Sequence, residues 1–262
     1  MGIPAVVFDI GGVLEITGEM TFSREWESKL GLSPGEIGRR LADVWAGGTV
    51  ARISEDDVHR AIGDELGLAG AQVELMMSQM WTEYLGVAND ELIEYVRGLR
   101  PRYRTGILSN SFVGAREREQ EAYGFPALVD DLVYSHEVGM TKPDPRIYQL
   151  TCARLGAAPE ETIFVDDLDA NVTGALDAGL HAVRYRDNAD DRRDRGCCLV
   201  HRGGQRKPKP CQVRVNAVTA VWKPRSVQCV SVPRATMSAP RAAHRRAASI
   251  SVAKTPADTP AA

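Results

Sequence analysis

The chain has 262 residues, of which 44% are hydrophobic, and a formal net charge of -3, values that suit one or two globular domains. The charge is uneven: residues 187–262 carry 15 Lys and Arg against 5 Asp and Glu, so the rest of the chain is acidic. An acidic body lacks the cationic face that nucleic acids and anionic membranes require, and no apolar run is long enough to span a bilayer. Because residues 1–186 contain one cysteine, Cys152, we expect no disulfide framework there and a cytoplasmic protein.

The first apolar run, "AVVF", ends at a single carboxylate, Asp9, and two glycines follow at Gly11 and Gly12. A short continuous apolar run favours a strand that is buried on both faces. Glycines at the strand end let a ligand approach the backbone closely. The pattern therefore predicts a chemical role for Asp9, with a helix cap as the structural alternative.

Residues 16–97 break the strand pattern and predict an all-helical segment. Ser33 and Ser54 each begin a stretch that resembles a capping box, which marks the start of a helix. Met and aromatic residues between Val73 and Tyr84 fall on one face of a helix. We expect this face to be core packing, with a ligand pocket as the alternative.

Apolar runs that end at Ser109, Ser135, Val165 and Tyr185 then alternate with helical patterns. This alternation predicts a Rossmann-like α/β/α core of three layers around a parallel sheet. The helical segment would form a small cap inserted after the first strand. We expect the core to comprise residues 1–15 and 98–186, and the cap residues 16–97.

Residues 187–262 show neither helical nor strand periodicity and hold seven of the 14 prolines. This basic, Pro-rich composition favours disorder. A shifted reading frame near Asp190 would explain the change in composition, and a basic arm that contacts nucleic acid is the alternative. The cysteines there match no paired metal-binding spacing. We expect a chain that ends near Asp187 to keep its fold and activity.

Polar side chains follow the carboxyl ends of four predicted strands: Asp9, Ser109, Asn110, Lys142, Asp166 and Asp167. Ligands of open α/β sheets bind outside these strand ends. Three crowded carboxylates repel one another unless a cation joins them, and an all-oxygen set suits Mg²⁺. A hydroxyl, backbone N–H groups and a lysine suit a phosphoryl group. A carboxylate beside a hard metal ion can attack phosphorus.

Four segments, "VVFDIGGVL", "ILSNS", "GMTKPDPRIY" and "IFVDDLDANVTGA", resemble in order the four motifs of the haloacid dehalogenase superfamily of phosphohydrolases. The resemblance covers residues 2–186 and indicates subfamily I, with a helical cap. Its first motif is most similar to that of the sugar-phosphate phosphatase branch. The resemblance implies Mg²⁺-dependent hydrolysis of a small phosphorylated metabolite through an aspartyl phosphate.

Carried over residue by residue, the resemblance implies that Asp9 is the nucleophile. Ser109 and the Asn110 backbone would hold the phosphoryl group that is transferred. Lys142 would neutralise charge on the nucleophile and on the phosphate, as a catalytic and a substrate-binding residue.

The metal ion would be bound, by the same resemblance, by Asp9, the backbone carbonyl of Gly11 and Asp167, with Asp166 helping directly or through water. One position departs from the family pattern, because Gly11 stands where the phosphatases usually carry a second Asp. That Asp protonates the leaving oxygen and later activates water, and such acid–base help is typically worth ~10²–10⁴ in rate. We therefore expect Gly11 to lower the rate of turnover and to leave phosphate binding intact.

Two alternatives follow from Gly11. A phospho-ligand binding or regulatory protein would keep the site without efficient turnover. A 2-haloacid dehalogenase also lacks the second Asp, but it needs no metal, and the Asp166–Asp167 pair argues against it. The sequence sets neither the substrate nor the oligomeric state.

Overall fold

The computed structural model describes residues 5–186 and the backbone of residues 227–228. Its strands are β1 (Ala5–Phe8), β2 (Glu15–Ile16), β3 (Val87–Ala88), β4 (Arg104–Ser109), β5 (Asp131–Tyr134), β6 (Thr162–Asp166), β7 (His181–Tyr185) and β8 (Val227–Gln228). Its helices are α1 (Phe22–Leu30), α2 (Glu36–Arg40), α3 (Ala42–Thr49), α4 (Glu55–Leu66), α5 (Gly70–Leu85), α6 (Asp90–Leu99), α7 (Ala115–Tyr123), α8 (Phe125–Leu128), α9 (Ser135–Val138), α10 (Pro145–Leu155) and α11 (Asp169–Asp177). No helix in this part of the chain is both long and apolar enough to cross a membrane.

The main sheet has the order β5-β4-β1-β6-β7-β8, and β1 pairs in parallel with both β4 and β6. Side chains of β1 alternate between two apolar clusters. Val6 and Phe8 pack in one cluster, and Ala5 and Val7 pack in the other. Both faces of the strand are buried, which explains its continuous apolar sequence. The prediction of a Rossmann-like α/β/α core with a mostly parallel sheet is confirmed.

The chain direction places a ligand site at the end of β1. The chain runs from β1 outward to β4 and β5 on one side of the sheet, and then returns to β6 and β7 on the other side. Open α/β sheets bind ligands beside the carboxyl end of the strand where this order reverses. Asp9 follows β1 directly.

Helices α1 to α5 form a cap, and the apolar cluster of the cap also includes Phe112 and Ala115 from the core. Helix α4 begins with the predicted capping box, since Ser54 accepts a hydrogen bond from the Asp57 N–H and the Asp57 carboxylate accepts one from the Ser54 N–H. At the other predicted box, Glu36 accepts from the Ser33 N–H, but Gly35 is the N-cap of α2. The Met and aromatic stripe of α5 is buried in the cap cluster, so it is packing.

The chain enters and leaves the cap through the antiparallel pair β2–β3, in which Glu15 faces Ala88 and Ile16 faces Val87. Helix α6 follows, and its buried residues pack in the sheet cluster rather than in the cap cluster. We therefore propose that the insert ends near Ala88 and not at residue 97.

The cap rests on the loop that follows β4. Phe112 from this loop belongs to the cap cluster, and its ring lies 5.6 Å from that of Trp45. The Val113 N–H donates to the Gly48 carbonyl at 3.1 Å, and the Ser135 hydroxyl donates to the Thr49 carbonyl at 2.9 Å.

One part of the C-terminal segment is described. Strand β8 pairs antiparallel with Arg184 and Tyr185 of β7, so the sheet has an antiparallel edge. The sequence predicts no regular structure for residues 187–262, and Val227 and Gln228 are described as this short strand. The other residues of the segment, including its cysteines, lie outside the described residues.

Candidate active site

Asp9 lies at the centre of the carboxyl edge of the sheet. Its N–H donates to the Val165 carbonyl at 2.9 Å, which extends the pairing of β1 with β6 by one residue. Its Oδ1 accepts a hydrogen bond from the Ile10 N–H at 2.8 Å. The side chain is buried, so both its position and its orientation are fixed.

Lys142 joins two carboxylates. Its Nζ lies 2.7 Å from Asp9 Oδ1 and 2.7 Å from Asp166 Oδ2, and the lysine side chain is fully buried. A buried ion pair of this kind holds its geometry because the loss of one partner leaves an uncompensated charge.

Asp166 uses both of its oxygens inside the protein. Oδ1 accepts from the Leu168 N–H at 2.8 Å and from Asn171 Nδ2 at 3.1 Å. Oδ2 accepts from Lys142 Nζ at 2.7 Å and from Asn171 Nδ2 at 3.1 Å. These contacts make Asp166 a fixed anchor for Lys142. Sequence reasoning missed Asn171, although it lies in the fourth quoted segment.

Asp167 is half-buried and lies against the glycine turn. A Cβ atom at Gly12 would come within 2.4 Å of Asp167 Oδ2, and Gly12 has a φ of +74°. Both facts require glycine at this position. Burial, followed by the charge of Asp166, raises the pKa of the Asp167 carboxyl above its usual value.

One carboxylate oxygen from each of Asp9, Asp166 and Asp167 lies within 4.8 Å of the other two. Burial raises the pKa of the Asp9 carboxyl above its usual value, and the positive charge of Lys142 opposes this rise. Three carboxylates against one lysine leave an excess of negative charge, and the donors are all oxygens. This set fits Mg²⁺, which prefers oxygen ligands.

Ser109 and Asn110 lie beside Asp9, at the end of the neighbouring strand. The pairing of Phe8 with Ile107 puts Asp9 level with Leu108. The Ser109 side chain is buried, and its hydroxyl has a long contact of 3.5 Å with the Asn110 carbonyl. The structure thus brings all the predicted site residues to one edge of the sheet.

Gly11 leaves open space where the family resemblance places an acid. A Cβ atom added at Gly11 would meet no described atom within 4 Å. Unlike Gly12, Gly11 is not among the residues with a positive φ. The backbone at this position therefore accepts residues other than glycine.

A second group of buried carboxyls lies near the base of the cap. Glu15 and Glu119 are both buried, and the Tyr134 hydroxyl donates to Glu119 Oε2 at 2.7 Å. Burial is the main cause that raises the pKa of Glu15 to about 9 and of Glu119 to about 7. No sequence pattern pointed to this pair, because Glu119 stands in a helix rich in charged residues.

Comparison with known proteins extends these observations. Residues 3–179 match the family model of haloacid dehalogenase-like hydrolases. D-ribitol-5-phosphate phosphatase of Bacteroides thetaiotaomicron is 28% identical over 206 residues, which cover 73% of this chain and 96% of that protein. Phosphatase MT3486 of Mycobacterium tuberculosis is 31% identical over 194 residues, which cover 70% of this chain and 87% of that protein.

A solved structure of a haloacid dehalogenase family enzyme from Bacteroides thetaiotaomicron, in complex with magnesium and inorganic phosphate, superposes with a TM-score of 0.60. It is 20% identical and covers 71% of this chain and 96% of that chain. The family match spans the first strand, the cap and all four quoted segments. The protein is a hydrolase of the haloacid dehalogenase-like family.

Proposed function

We propose that the protein is a Mg²⁺-dependent phosphatase of a small phosphorylated metabolite. The observation that carries the proposal is the arrangement of Asp9, Lys142 and the Asp166–Asp167 pair at the end of the central strand. The names of the two phosphatase relatives support the reaction class.

Asp9 would attack phosphorus through Oδ2, since Oδ1 is held by the Ile10 N–H and Lys142. An Asp9–phosphorus bond forms while the bond to the leaving oxygen breaks. Water then cleaves the aspartyl phosphate, which releases inorganic phosphate and restores the carboxylate. Lys142 would offset the negative charge of both the carboxylate and the phosphoryl group.

The metal ion would be held by Asp9, Asp167 and the Gly11 carbonyl. Asp166 already accepts hydrogen bonds at both oxygens, which favours contact with the metal through water. When bound, the ion would neutralise charge on the phosphoryl oxygens. The magnesium and inorganic phosphate in the related solved structure support Mg²⁺ as the metal ion.

Two observations guide the choice of substrates to test, the missing acid at Gly11 and the name of one relative. No acid at position 11 protonates the leaving oxygen, so we expect substrates whose leaving groups have a low pKa to react best. The relative that acts on D-ribitol 5-phosphate makes sugar and polyol phosphates the first compounds to examine.

Phosphate release from a panel of sugar, polyol and aryl phosphates, with Mg²⁺ and with EDTA, tests the proposal. We expect release from some compounds that stops with EDTA and returns with added Mg²⁺. Release that is insensitive to EDTA would contradict the metal assignment. Halide release from 2-chloropropionate without phosphate release would indicate a dehalogenase instead.

A second function is favoured by one observation, the missing acid at Gly11. A phospho-ligand binder would keep Lys142, Ser109 and the metal ligands without turnover. Inorganic phosphate that binds in a Mg²⁺-dependent way, together with no phosphate release from any compound, would support the binder.

A further inference from the structure

The side chain of Asn110 makes two hydrogen bonds with the backbone of Lys142. The Lys142 N–H donates to Asn110 Oδ1 at 2.8 Å, and Asn110 Nδ2 donates to the Lys142 carbonyl at 3.0 Å. The amide therefore pairs with both backbone groups of one residue, as a neighbouring strand would. No strand performs this task, because Lys142 lies in the loop between α9 and α10.

Apart from these two hydrogen bonds, the Asn110 side chain contributes little to packing. It is exposed and is not part of any of the three apolar clusters. Only an amide suits these contacts. A carboxylate in its place accepts but cannot donate, and the hydroxyl of Ser has one proton and a shorter reach.

The position of Lys142 Nζ depends on the position of the Lys142 backbone. Its Nζ is 2.7 Å from each of two carboxylates, and its side chain is fully buried. A shift of the Lys142 backbone would move Nζ away from at least one of these partners. Small displacements of a catalytic group cost large factors in rate.

We propose that the Asn110 side chain is a positioning residue, which fixes the backbone of Lys142 and thereby holds Nζ between Asp9 and Asp166. This role is separate from the phosphoryl contact expected of the Asn110 backbone. The kinetic part of the proposal rests on the proposed function, whereas the structural part does not.

The structural part is tested by hydrogen exchange at the Lys142 amide, followed by NMR in the full chain. We expect Asn110→Ala to speed exchange at this amide by roughly tenfold or more, since the acceptor is removed. Asn110→Asp keeps the acceptor for the Lys142 N–H but loses the donor to the Lys142 carbonyl, so exchange should speed up less than in Asn110→Ala. Unchanged exchange in Asn110→Ala would overturn the proposal.

The kinetic part is tested with Asn110→Ala, Lys142→Ala and the double variant, using the best compound of the phosphate panel. We expect Asn110→Ala to lower kcat by roughly tenfold with a smaller change in KM. In the Lys142→Ala background the same substitution should change kcat by less than about twofold, because the lysine is already gone.

Each outcome bears on one claim. Full additivity in the double variant would show that Asn110 acts on the reaction without Lys142, which would overturn the positioning role. Absence of phosphate release in the unmodified chain would contradict the proposed function, and the exchange result would still decide whether the amide holds Lys142.

Discussion

Gly11 and Gly12 are neighbours in the first motif, but they differ in whether a side chain can replace the glycine. Gly11 has open space where a Cβ atom would lie and no positive φ. We therefore expect Gly11→Asp to fold and to supply the missing acid. General acid–base help is worth ~10²–10⁴, so kcat for alkyl phosphates should rise toward 100-fold, roughly the lower end of that range. The dependence of kcat on leaving-group pKa should become shallower.

Gly12→Asp is the matched control for this substitution. Its φ of +74° and the 2.4 Å approach of a Cβ atom to Asp167 Oδ2 should lower both stability and activity. If Gly11→Asp folds but leaves the leaving-group dependence of kcat unchanged, the open space at Gly11 does not correspond to an acid position.

Glu119 makes the stability of the protein depend on pH. Its pKa is raised from the ordinary 4.5 to about 7, so the folded protein keeps a proton that the unfolded chain releases. The free energy of unfolding should therefore fall as pH rises from about 4.5 to 7. For one proton, the fall is at most ~1.4 kcal/mol for each pH unit. Glu15, with a pKa of about 9, should extend the fall to higher pH.

Glu119→Gln removes this titration and keeps an acceptor for the Tyr134 hydroxyl. Urea denaturation between pH 5 and 8 should give a shallower fall for the variant, which should be more stable than the unmodified chain at pH 8. Glu121→Gln, exposed on the same helix, should follow the unmodified chain. Parallel curves for Glu119→Gln and the unmodified chain would contradict a raised pKa at Glu119.

The polar residues of the active site could be predicted from the sequence, whereas the buried carboxyl of Glu119 could not. Asp9 and Asp167 directly follow strands, and Lys142 lies in the loop after α9, a few residues behind β5. A charged residue that follows an apolar run is a signal that the sequence shows. Glu119 stands in "AREREQEAY", which has the composition of a solvated helix. Its carboxylate accepts a hydrogen bond from Tyr134 of strand β5, and the local sequence does not record such a contact.

At the scale of elements, helix α3 of the cap packs closely against the loop that follows β4. A Cβ atom at Gly48 would lie 2.2 Å from the Phe112 ring, which is packed between Trp45 and Trp81. Gly48→Ala should therefore lower the free energy of unfolding by about 1–3 kcal/mol through overpacking.

Gly38→Ala is the control for Gly48→Ala, because Gly38 lies in helix α2 with no described atom within 4 Å of a Cβ. Alanine is the better helix former by about 1 kcal/mol, so this variant should be as stable as the unmodified chain or more so. Equal melting temperatures for Gly48→Ala and Gly38→Ala would show that helix α3 is not tightly packed against Phe112.

Strands were easier to predict than the limits of the cap. Continuous apolar runs such as "AVVF" mark strands buried on both faces, which the two clusters around β1 confirm. The apolar period of helix α6 shows which of its faces is buried, but it does not show what that face packs against. The sequence therefore assigned α6 to the cap. Strands β2 and β3 have two residues each, too few for a readable pattern.

At the scale of the whole molecule, the C-terminal segment contributes strand β8 to the edge of the sheet. We expect a chain that ends at Asp187 to keep its activity and to melt less than about 5 °C below a chain that ends at Val230, since a two-residue pairing supplies few hydrogen bonds. Loss of activity, or a drop of more than about 10 °C, would show that the segment is part of the working fold.

Phosphate release by Asp9→Asn, measured beside the unmodified chain, tests most directly whether Asp9 is the nucleophile of a phosphatase. The substitution keeps the size of the side chain and an oxygen for the Ile10 N–H, so the fold should be retained, which circular dichroism can verify. We predict Mg²⁺-dependent release by the unmodified chain and none by the variant. Equal rates for the two proteins would contradict the assignment of Asp9 as the nucleophile.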